Sequence, residues 1–287
     1  MPTDLIHQRP NEFRAALDFT SAETGFSARL IEKDYWCSLV LEALFASSNT
    51  ALVFKGGTLL SKTYANFDRL SEDLDFTVST SAEIKRAQRS RHADALEAQF
   101  NQVAQSLALS WKEPWSGHNN STQHTGRLAY HSVLGVAESL LIEVSQREPT
   151  IQPVAEVNLK TLLLNPLFSE PVLPLIKARG LSRTEAYAEK VRAALTRKEP
   201  AIRDIYDLWQ AQRSDVLPVT DLDWIALVKD KCAQHILKDA CSMGRKEAFM
   251  RGITTDLHPV LTSDSAEQFD FEIAWQTIVE IHRKLLK

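Results

Sequence analysis

Cysteine and long apolar runs are scarce in this chain of 287 residues. Three cysteines, Cys37, Cys232 and Cys241, are too few and too scattered for a disulfide framework or a zinc site. No apolar run approaches the roughly 18 residues of a membrane span. Residues 1–11 carry charges and two prolines where a signal peptide has its apolar core. We therefore expect a protein of the reducing cytoplasm with no membrane partner.

A net positive charge is also lacking. The chain has 33 Lys and Arg against 37 Asp and Glu, a net charge of −4 at pH 7, which argues against a surface coated in positive field. Residues 177–203 nevertheless hold eight basic and three acidic residues. A second basic cluster comprises Lys85, Arg86, Arg89 and Arg91. Each cluster is either a solvated helix face or a binding surface for nucleic acid, and both interpretations stay open.

Proline is unevenly distributed and indicates how the chain divides. Five of its eleven prolines fall in residues 149–174, which is typical of a connector. We expect N-terminal helices in residues 1–50, a core over residues 51–150 and a helical domain over residues 175–287. Apolar spacing and turn residues place the individual elements. The predicted helices are 11–47, 81–107, 183–197, 202–213, 222–237 and 269–286, with an N-cap at Ser27; the predicted strands are 51–54, 70–78, 128–133, 140–145 and 172–176, with a loop at 113–126 and a turn at Gly135.

Glycine is sparse, with nine in the chain, and two adjoin at Gly56 and Gly57. A short apolar strand precedes them and a helical pattern begins at Thr58. The exposed N–H groups of a helix start and the helix dipole favour an anion, and glycine lets a phosphate approach closely. Lys62 lies one turn after Thr58 on the same face, so we expect its ammonium to reach that anion.

Two acids follow in the segment RLSEDLDF, residues 69–76. In a strand, Asp73 and Asp75 point to one face while Leu74 and Phe76 point to the other. Paired carboxylates favour a hard cation, Mg²⁺ or Mn²⁺. Taken alone, the glycines indicate a turn and the acids a solvated strand end. Together, in this order, they favour metal-assisted attack on a nucleoside triphosphate.

These residues also carry a family resemblance. The segments FKGGT (54–58) and RLSEDLDF (69–76), with Lys62, resemble the signature of the AbiEii nucleotidyltransferases. These are toxins of type IV (abortive-infection) toxin–antitoxin systems in the polymerase-β-like nucleotidyltransferase superfamily. Residues 31–36, 142–148, 188–195 and 203–208 also resemble the family, so the similarity spans about residues 31–209. Within the first of these segments, Lys33 and Asp34 are expected on the surface face of a packing helix.

The resemblance implies an α/β (α+β) fold: a polymerase-β-like core with a mixed sheet flanked by helices, and a helical C-terminal domain. It also implies roles for particular residues. The implied metal ligands are Asp73, Asp75 and Glu143, the implied catalytic residues are these three with Lys190, and the implied triphosphate site comprises Gly56, Gly57, Thr58, Lys62, Ser71, Lys190, Arg197, Asp204 and Asp207. Each of two residues has an alternative role that stays open. Glu143 would be an exposed acid on a strand instead of a metal ligand. Lys190 would form a structural salt bridge with Asp204 and Asp207, which share a helix face, instead of binding the triphosphate.

The implied function is Mg²⁺- or Mn²⁺-dependent transfer of a nucleotide from a triphosphate to an acceptor hydroxyl. By resemblance, the acceptor is the 3′ end of a tRNA, the protein is a toxin, and an antitoxin protein is a possible partner. One alternative is transfer of AMP to a protein or small molecule. Another is a nucleotide-binding module without turnover, against which the intact glycine and aspartate motifs argue. Beyond about residue 215 no motif is found.

Overall fold

A computed structural model describes residues 5–46, 51–78, 86–147 and 150–287. The chain forms two compact units, Met1–Leu181 and Ser182–Lys287. The start of the helix predicted at 81–107, Lys85, the side chain of Arg86 and Glu148 lie outside the described residues. No helix within the described ranges is both long enough and apolar enough to cross a membrane.

The helices of the first unit begin and end at residues with a clear physical role. Pro10 opens the first long helix, where its missing N–H costs nothing, and Gly25 closes it with a left-handed φ of 77°. The hydroxyl of Ser27 accepts from the amide of Leu30, which confirms the predicted N-cap. After a 3₁₀ turn at Ile6–Gln8, the helices are α1 (Pro10–Thr24), α2 (Ala28–Phe45), α3 (Gly56–Leu59, continued by a π-helix at Leu60–Tyr64) and α4 (Arg86–Ser106).

Seven strands of this unit form one mixed sheet. They are β1 (Leu52–Lys55), β2 (Asp73–Val78), β3 (Ser110–His118), β4 (Gln123–His131), β5 (Ala137–Ser145), β6 (Ala155–Leu159) and β7 (Ile176–Gly180). Their order in the sheet is β3-β4-β5-β2-β1-β7-β6. The central strand β2 pairs antiparallel with β1 and parallel with β5. The mixed sheet flanked by helices confirms the predicted fold class.

One face of the sheet's centre is apolar and covered by helices. Leu74, Phe76, Ile142 and Val144 are all buried, and they alternate along β2 and β5 with polar residues. The ring of Phe76 lies 6.1 Å from that of Phe100 in α4 and 6.4 Å from that of Phe45 in α2. Helices on this side therefore leave the opposite face of β2 and β5 for polar side chains.

The prediction of a loop at residues 113–126 is wrong, because this segment forms most of a β-hairpin. Strands β3 and β4 pair antiparallel across a turn at residues 119–122. β3 lies at the sheet's edge and its register shifts twice, between Trp111 and Glu113 and between Glu113 and Ser116. An edge strand tolerates bulges and a proline such as Pro114, whose missing N–H needs no ladder partner.

The proline-rich connector also contains sheet. β6 pairs antiparallel with β7, and β7 joins β1 in parallel through Phe54 and Gly180. The prolines fall mainly between these strands, where Leu164 and Pro171 form an isolated bridge. The first unit therefore includes β6 and β7 and extends to Leu181, at the end of the proline-rich connector.

All regular elements described in the second unit are helical. Four of the six α-helices correspond to predicted helices, and the helices that begin at Met243 and Ser263 were not predicted. They are α5 (Arg183–Thr196), α6 (Ile202–Arg213), α7 (Leu222–Cys232), α8 (Met243–Gly252), α9 (Ser263–Gln268) and α10 (Phe271–Leu285), with a π-helix at Ile253–Leu257 and a 3₁₀ turn at His258–Val260. Tyr206, Trp209 and Phe269 form an aromatic cluster in its core, with ring centroids 5.2–5.5 Å apart.

Candidate active site

The turn from β1 into α3 brings Gly56 against Asp75. Gly56 has a φ of +79°, in the left-handed region that side chains other than glycine rarely adopt. A Cβ at this position would lie 2.1 Å from Oδ2 of Asp75. The carboxylate of Asp75 therefore occupies the space that a side chain at position 56 would need.

Gly57 makes a similar approach to Ser71. A Cβ on Gly57 would lie 2.7 Å from Oγ of Ser71 and 2.8 Å from Nη2 of Arg69. Arg69 is buried, and its Nη1 donates to the carbonyl of Leu70 at 2.9 Å. The structure thus brings four predicted residues together: Gly56, Gly57, Ser71 and Asp75.

Thr58 connects the same helix to the other aspartate of the pair. Its side chain is buried, and its hydroxyl donates to the backbone carbonyl of Asp73 at 2.5 Å. The hydroxyl therefore fixes the start of β2 beneath α3. The group that Thr58 can offer a nucleotide is its backbone N–H, because the first N–H groups of a helix have no partner within it.

A row of polar residues crosses four adjacent strands at Asp75. Asp75 is the register partner of Lys55 in β1 and of Glu143 in β5, and Glu143 is in turn the partner of Thr125 in β4. Directly opposite residues point to the same face of a sheet. Asp73, two residues before Asp75, shares this face. We call Lys55, Asp75, Glu143 and Thr125 the Asp75 row.

The donor groups of this face suit a hard cation. Asp73, Asp75 and Glu143 offer only carboxylate oxygens, which Mg²⁺ and Mn²⁺ prefer. Among the described residues, no three His, Cys, Asp or Glu side chains are grouped as a metal centre. Mg²⁺ in triphosphate enzymes uses one or two carboxylates and completes its shell with phosphates and water. Asp73 and Asp75 fit that pattern, and a ligand role for Glu143 stays a prediction.

The prediction that Lys62 reaches the nucleotide is wrong. Its side chain is fully buried, and Nζ lies 2.6 Å from Oδ1 of Asp34 and 2.7 Å from Oγ of Ser38. The helix is a π-helix over Leu60–Tyr64, so the 3.6-residue spacing used for the prediction does not apply here. Removing Lys62 from this pocket would leave Asp34 buried without its cation.

Asp34 is likewise not on a surface face. Its side chain is buried, and besides binding Lys62 its Oδ2 accepts from the amide of Leu162 at 3.1 Å. The signal that was available is the composition of α2, which is apolar on nearly all sides and is therefore a buried helix. An acid on such a helix requires a buried partner.

Lys33 belongs to an ionic network that sequence reasoning also missed. It contacts Glu72 at 2.8 Å and Glu138 at 3.4 Å, and Arg29 contacts the same two acids at 3.1 and 3.0 Å. Although burial opposes ionisation, Lys33 and Arg29 lower the pKa of Glu72 below its ordinary value of 4.5. Glu72 directly precedes Asp73, so this network fixes the chain where β2 begins.

In the second unit, four further predicted residues meet. Lys190 Nζ lies 2.9 Å from Oδ1 of Asp204 and 2.9 Å from Oδ2 of Asp207. Nε of Arg197 lies 3.2 Å from Oδ2 of Asp204. Lys190 and both acids are buried, whereas about half of the Arg197 side chain is exposed. The ammonium of Lys190 is therefore held in one position by two carboxylates on one face of α6.

Two features of this site define its class. A strand enters a helix through two glycines, and the next strand of the mixed sheet carries paired carboxylates. Together they are typical of a nucleotidyltransferase. A solved structure of this class has the same fold: MenT4, a nucleotidyltransferase toxin from Mycobacterium tuberculosis H37Rv. It matches with a TM-score of 0.53 and 17% sequence identity over 95% of this chain and 98% of that chain. At this identity the match shows the fold alone. No curated protein matches the chain.

The family follows from the sequence. The profile described as "Nucleotidyl transferase AbiEii toxin, Type IV TA system" matches residues 39–279. The chain therefore belongs to the AbiEii nucleotidyltransferase toxins of type IV toxin–antitoxin systems, and it is an enzyme. Membership of this family implies a nucleoside triphosphate substrate, a divalent metal and an antitoxin partner.

Proposed function

We propose that the protein transfers a nucleoside monophosphate from a triphosphate to the 3′ end of a tRNA. The observation that carries the transfer step is the contact between Gly56 and the carboxylate of Asp75. It joins the two halves of the sequence motif in one place, the glycine turn that suits phosphate and the carboxylates that suit a metal. Because tRNA is a cytoplasmic molecule, this function requires that the protein acts in the cytoplasm.

The roles proposed for the residues follow from their positions. The backbone of Gly56, Gly57 and Thr58 and the hydroxyl of Ser71 bind triphosphate oxygens, because they lie together at the start of α3. Asp73 and Asp75, with Glu143 beside them, would hold Mg²⁺ or Mn²⁺. When bound, such an ion neutralises phosphate charge and makes the attacking hydroxyl more acidic.

The bond changes are those of nucleotidyl transfer. The acceptor oxygen bonds to the α-phosphorus, the bond to the bridging oxygen breaks, and pyrophosphate leaves with that electron pair. The hydroxyl proton is lost to solvent. The chain's own contribution is positioning and charge, since the lack of side chains at Gly56 and Gly57 lets the carboxylate of Asp75 and the hydroxyl of Ser71 lie against the backbone at the start of α3.

The role of Lys190 in binding the triphosphate stays a prediction from the family resemblance, as do those of Arg197, Asp204 and Asp207. The two carboxylates that hold Lys190 support either reading, because fixing an ammonium serves both a phosphate contact and a salt bridge between helices. Measuring stability and transfer rate on the same variant distinguishes these two roles of Lys190.

The tRNA acceptor is supported by the family and by the excess of basic residues at positions 177–203. Part of that excess is neutralised, because Lys190, Arg192 and Arg197 form ion pairs. Arg183 and Lys198 are exposed. The local charge available to a nucleic acid is therefore smaller than the sequence count indicates.

Labelling decides the acceptor. The protein is incubated with Mg²⁺, total RNA or total protein, and each of the four α-labelled ribonucleoside triphosphates in turn. We expect label in the tRNA fraction and none after addition of a chelator. Label in the protein fraction would instead establish AMP transfer or a related modification. Binding of triphosphate without transfer to any fraction would establish a module without turnover.

A further inference from the structure

We infer that Lys55 is a further catalytic residue of this site, and that its ammonium binds the triphosphate of the incoming nucleotide. The inference rests on the proposed function, since it assumes that the nucleotide lies against Gly56 and Asp75. It assigns to Lys55 the phosphate contact that the sequence assigned to Lys62.

The first argument is register. Lys55 is the last residue of β1 and lies directly opposite Asp75, at one end of the Asp75 row. Opposite residues share a face, so the lysine stem rises from the sheet on the side that carries Asp73, Asp75 and Glu143. A cation at this position stands beside the carboxylates that are proposed to hold the metal.

The second argument is the backbone. Lys55 has an extended conformation, with φ of −147° and ψ of −167°, and it caps the N-terminus of α3. The next residue is Gly56, whose backbone touches the carboxylate of Asp75. Lys55 is therefore tethered one residue from the proposed phosphate contact by a turn that only glycine fits well.

The third argument is availability. Lys62 is fully buried on Asp34, and Lys33 is held by Glu72 and Glu138. Within the part of the chain that the structure describes, no ion pair engages Lys55. Lys55 is half-buried, and lysines at such positions typically pack the aliphatic stem and keep the ammonium in water.

The fourth argument is charge. Asp73, Asp75 and Glu143 together with a triphosphate concentrate negative charge that divalent ions offset only in part. Enzymes of phosphoryl and nucleotidyl transfer place a lysine or arginine where this charge increases in the transition state. The sheet register places Lys55 directly beside Asp75 on this face, whereas Arg127 of β4, which shares the face, is paired with Glu113.

The test compares three variants of Lys55 in the full-length protein. Lys55→Gln removes the charge and keeps most of the length, Lys55→Ala removes both, and Lys55→Arg keeps the charge. The matched control is Lys112→Ala, an exposed lysine on β3. Each protein is assayed for nucleotide transfer at varied triphosphate concentration, and its melting temperature is measured with and without Mg²⁺ and a non-hydrolysable triphosphate.

We expect Lys55→Gln and Lys55→Ala to lower kcat/KM for the triphosphate by about 10- to 100-fold, the effect of losing one charged hydrogen bond. Lys55→Arg should retain more activity than Lys55→Gln. Without ligand, all variants should melt within about 2 °C of wild type, because no ion pair is lost. The stabilisation by triphosphate should shrink in Lys55→Gln and persist in Lys112→Ala.

The inference is overturned if Lys55→Gln matches Lys112→Ala in both kcat/KM and ligand stabilisation. Equal losses in Lys55→Gln and Lys55→Arg would also overturn it, since charge would then be irrelevant. Failure of the proposed function is a separate result: wild type would transfer nucleotide to no acceptor. The melting shifts with the non-hydrolysable triphosphate would still decide the role of Lys55 in that case.

Discussion

At the scale of single residues, the carboxylates of Asp73 and Asp75 stand on one strand face. Two unit charges about 4–6 Å apart at an effective dielectric constant of roughly 20 repel by on the order of 3 kcal/mol before screening and relaxation. Such repulsion lowers the stability of the metal-free protein. It is offset when a cation binds.

We predict that Asp73→Asn and Asp75→Asn each remove most transfer activity, because a neutral amide binds Mg²⁺ far less well. In chelator, Asp75→Asn should melt at or above the wild-type temperature. Mg²⁺ with a non-hydrolysable triphosphate should stabilise wild type much more than this variant. Asp94→Asn, on an exposed position of α4, is the control. Melting of Asp75→Asn well below wild type in chelator would instead identify a structural hydrogen-bonding residue.

For Lys62 we predict a loss of stability on substitution, in contrast to Asp75. Lys62→Met leaves the carboxylate of Asp34 buried without its cation, and breaking a buried pair costs about 3–5 kcal/mol. Denaturant titration should show this loss in Lys62→Met and little change in Lys160→Met, an exposed lysine. The double variant Lys62→Met/Asp34→Leu should recover much of the loss. A difference of less than about 1 kcal/mol between Lys62→Met and wild type would contradict a strong buried pair.

At the scale of elements, α2 determines where β2 begins. Its Arg29 and Lys33 bind Glu72, the residue before Asp73, and also Glu138 in β5. The helix therefore connects the central strand and its parallel neighbour through one ionic network.

This network has a pH dependence whose sign follows from Glu72. Its pKa in the folded protein is lowered from 4.5, so its stabilising contribution is present above pH 4.5 and is lost as the pH falls through the lower folded value. We predict that Glu72→Gln melts below wild type at pH 7 and that the difference shrinks below pH 4.5. Glu267→Gln, an exposed acid of the second unit, should show no such pH-dependent difference. A difference in melting temperature between Glu72→Gln and wild type that does not change with pH would show that the charge of Glu72 does not contribute to stability.

Helices α5 and α6 carry the prediction for Lys190. If Lys190 contacts the triphosphate, Lys190→Ala lowers the transfer rate of folded enzyme by at least about 10-fold, as loss of a charged contact does. If it is only a salt bridge, the variant loses stability and keeps its rate per folded molecule. Lys229→Ala, an exposed lysine of α7, is the control. Rate and melting temperature are measured on the same preparations.

Local patterns predicted the elements that carry the site. The alternation of residues along β2 and β5 placed Asp73, Asp75 and Glu143 on one face of the sheet and Leu74 and Val144 on the other. This prediction succeeded because successive side chains of any strand point to alternate faces. The same reasoning failed where the backbone departs from regular geometry. Lys62 lies on a π-helix, and the hairpin at residues 113–126 contains turn residues within an edge strand.

At the scale of the whole molecule, the boundary between the two units is set by pairing that sequence does not reveal. Joining β7 to β1 brings together Phe54 and Gly180. No local signal encodes a contact over such a separation, so the pairing of β6 and β7 with the core sheet could not be predicted from the connector's prolines. The helical second domain, by contrast, was predicted from spacing within each helix.

We predict that residues 1–181 expressed alone unfold in a single cooperative thermal transition, because they contain the complete sheet. Residues 1–150, the core expected from sequence, lack β6 and β7 and leave one side of β1 without its partner. That shorter fragment should aggregate or lack a cooperative transition. Circular dichroism during heating measures both. Equal cooperativity in the two fragments would place the boundary at residue 150 after all.

The order of strands in the sheet also determines when activity can first exist during synthesis. Asp75 meets Glu143 only after β5 has been made, and β1 gains its second partner only with Gly180. At translation rates of about 5–20 residues per second, the ribosome needs several seconds between those strands. Contacts of such long range also close slowly. If the proposed site is correct, we expect the nascent toxin to be catalytically silent until most of its first unit has left the ribosome.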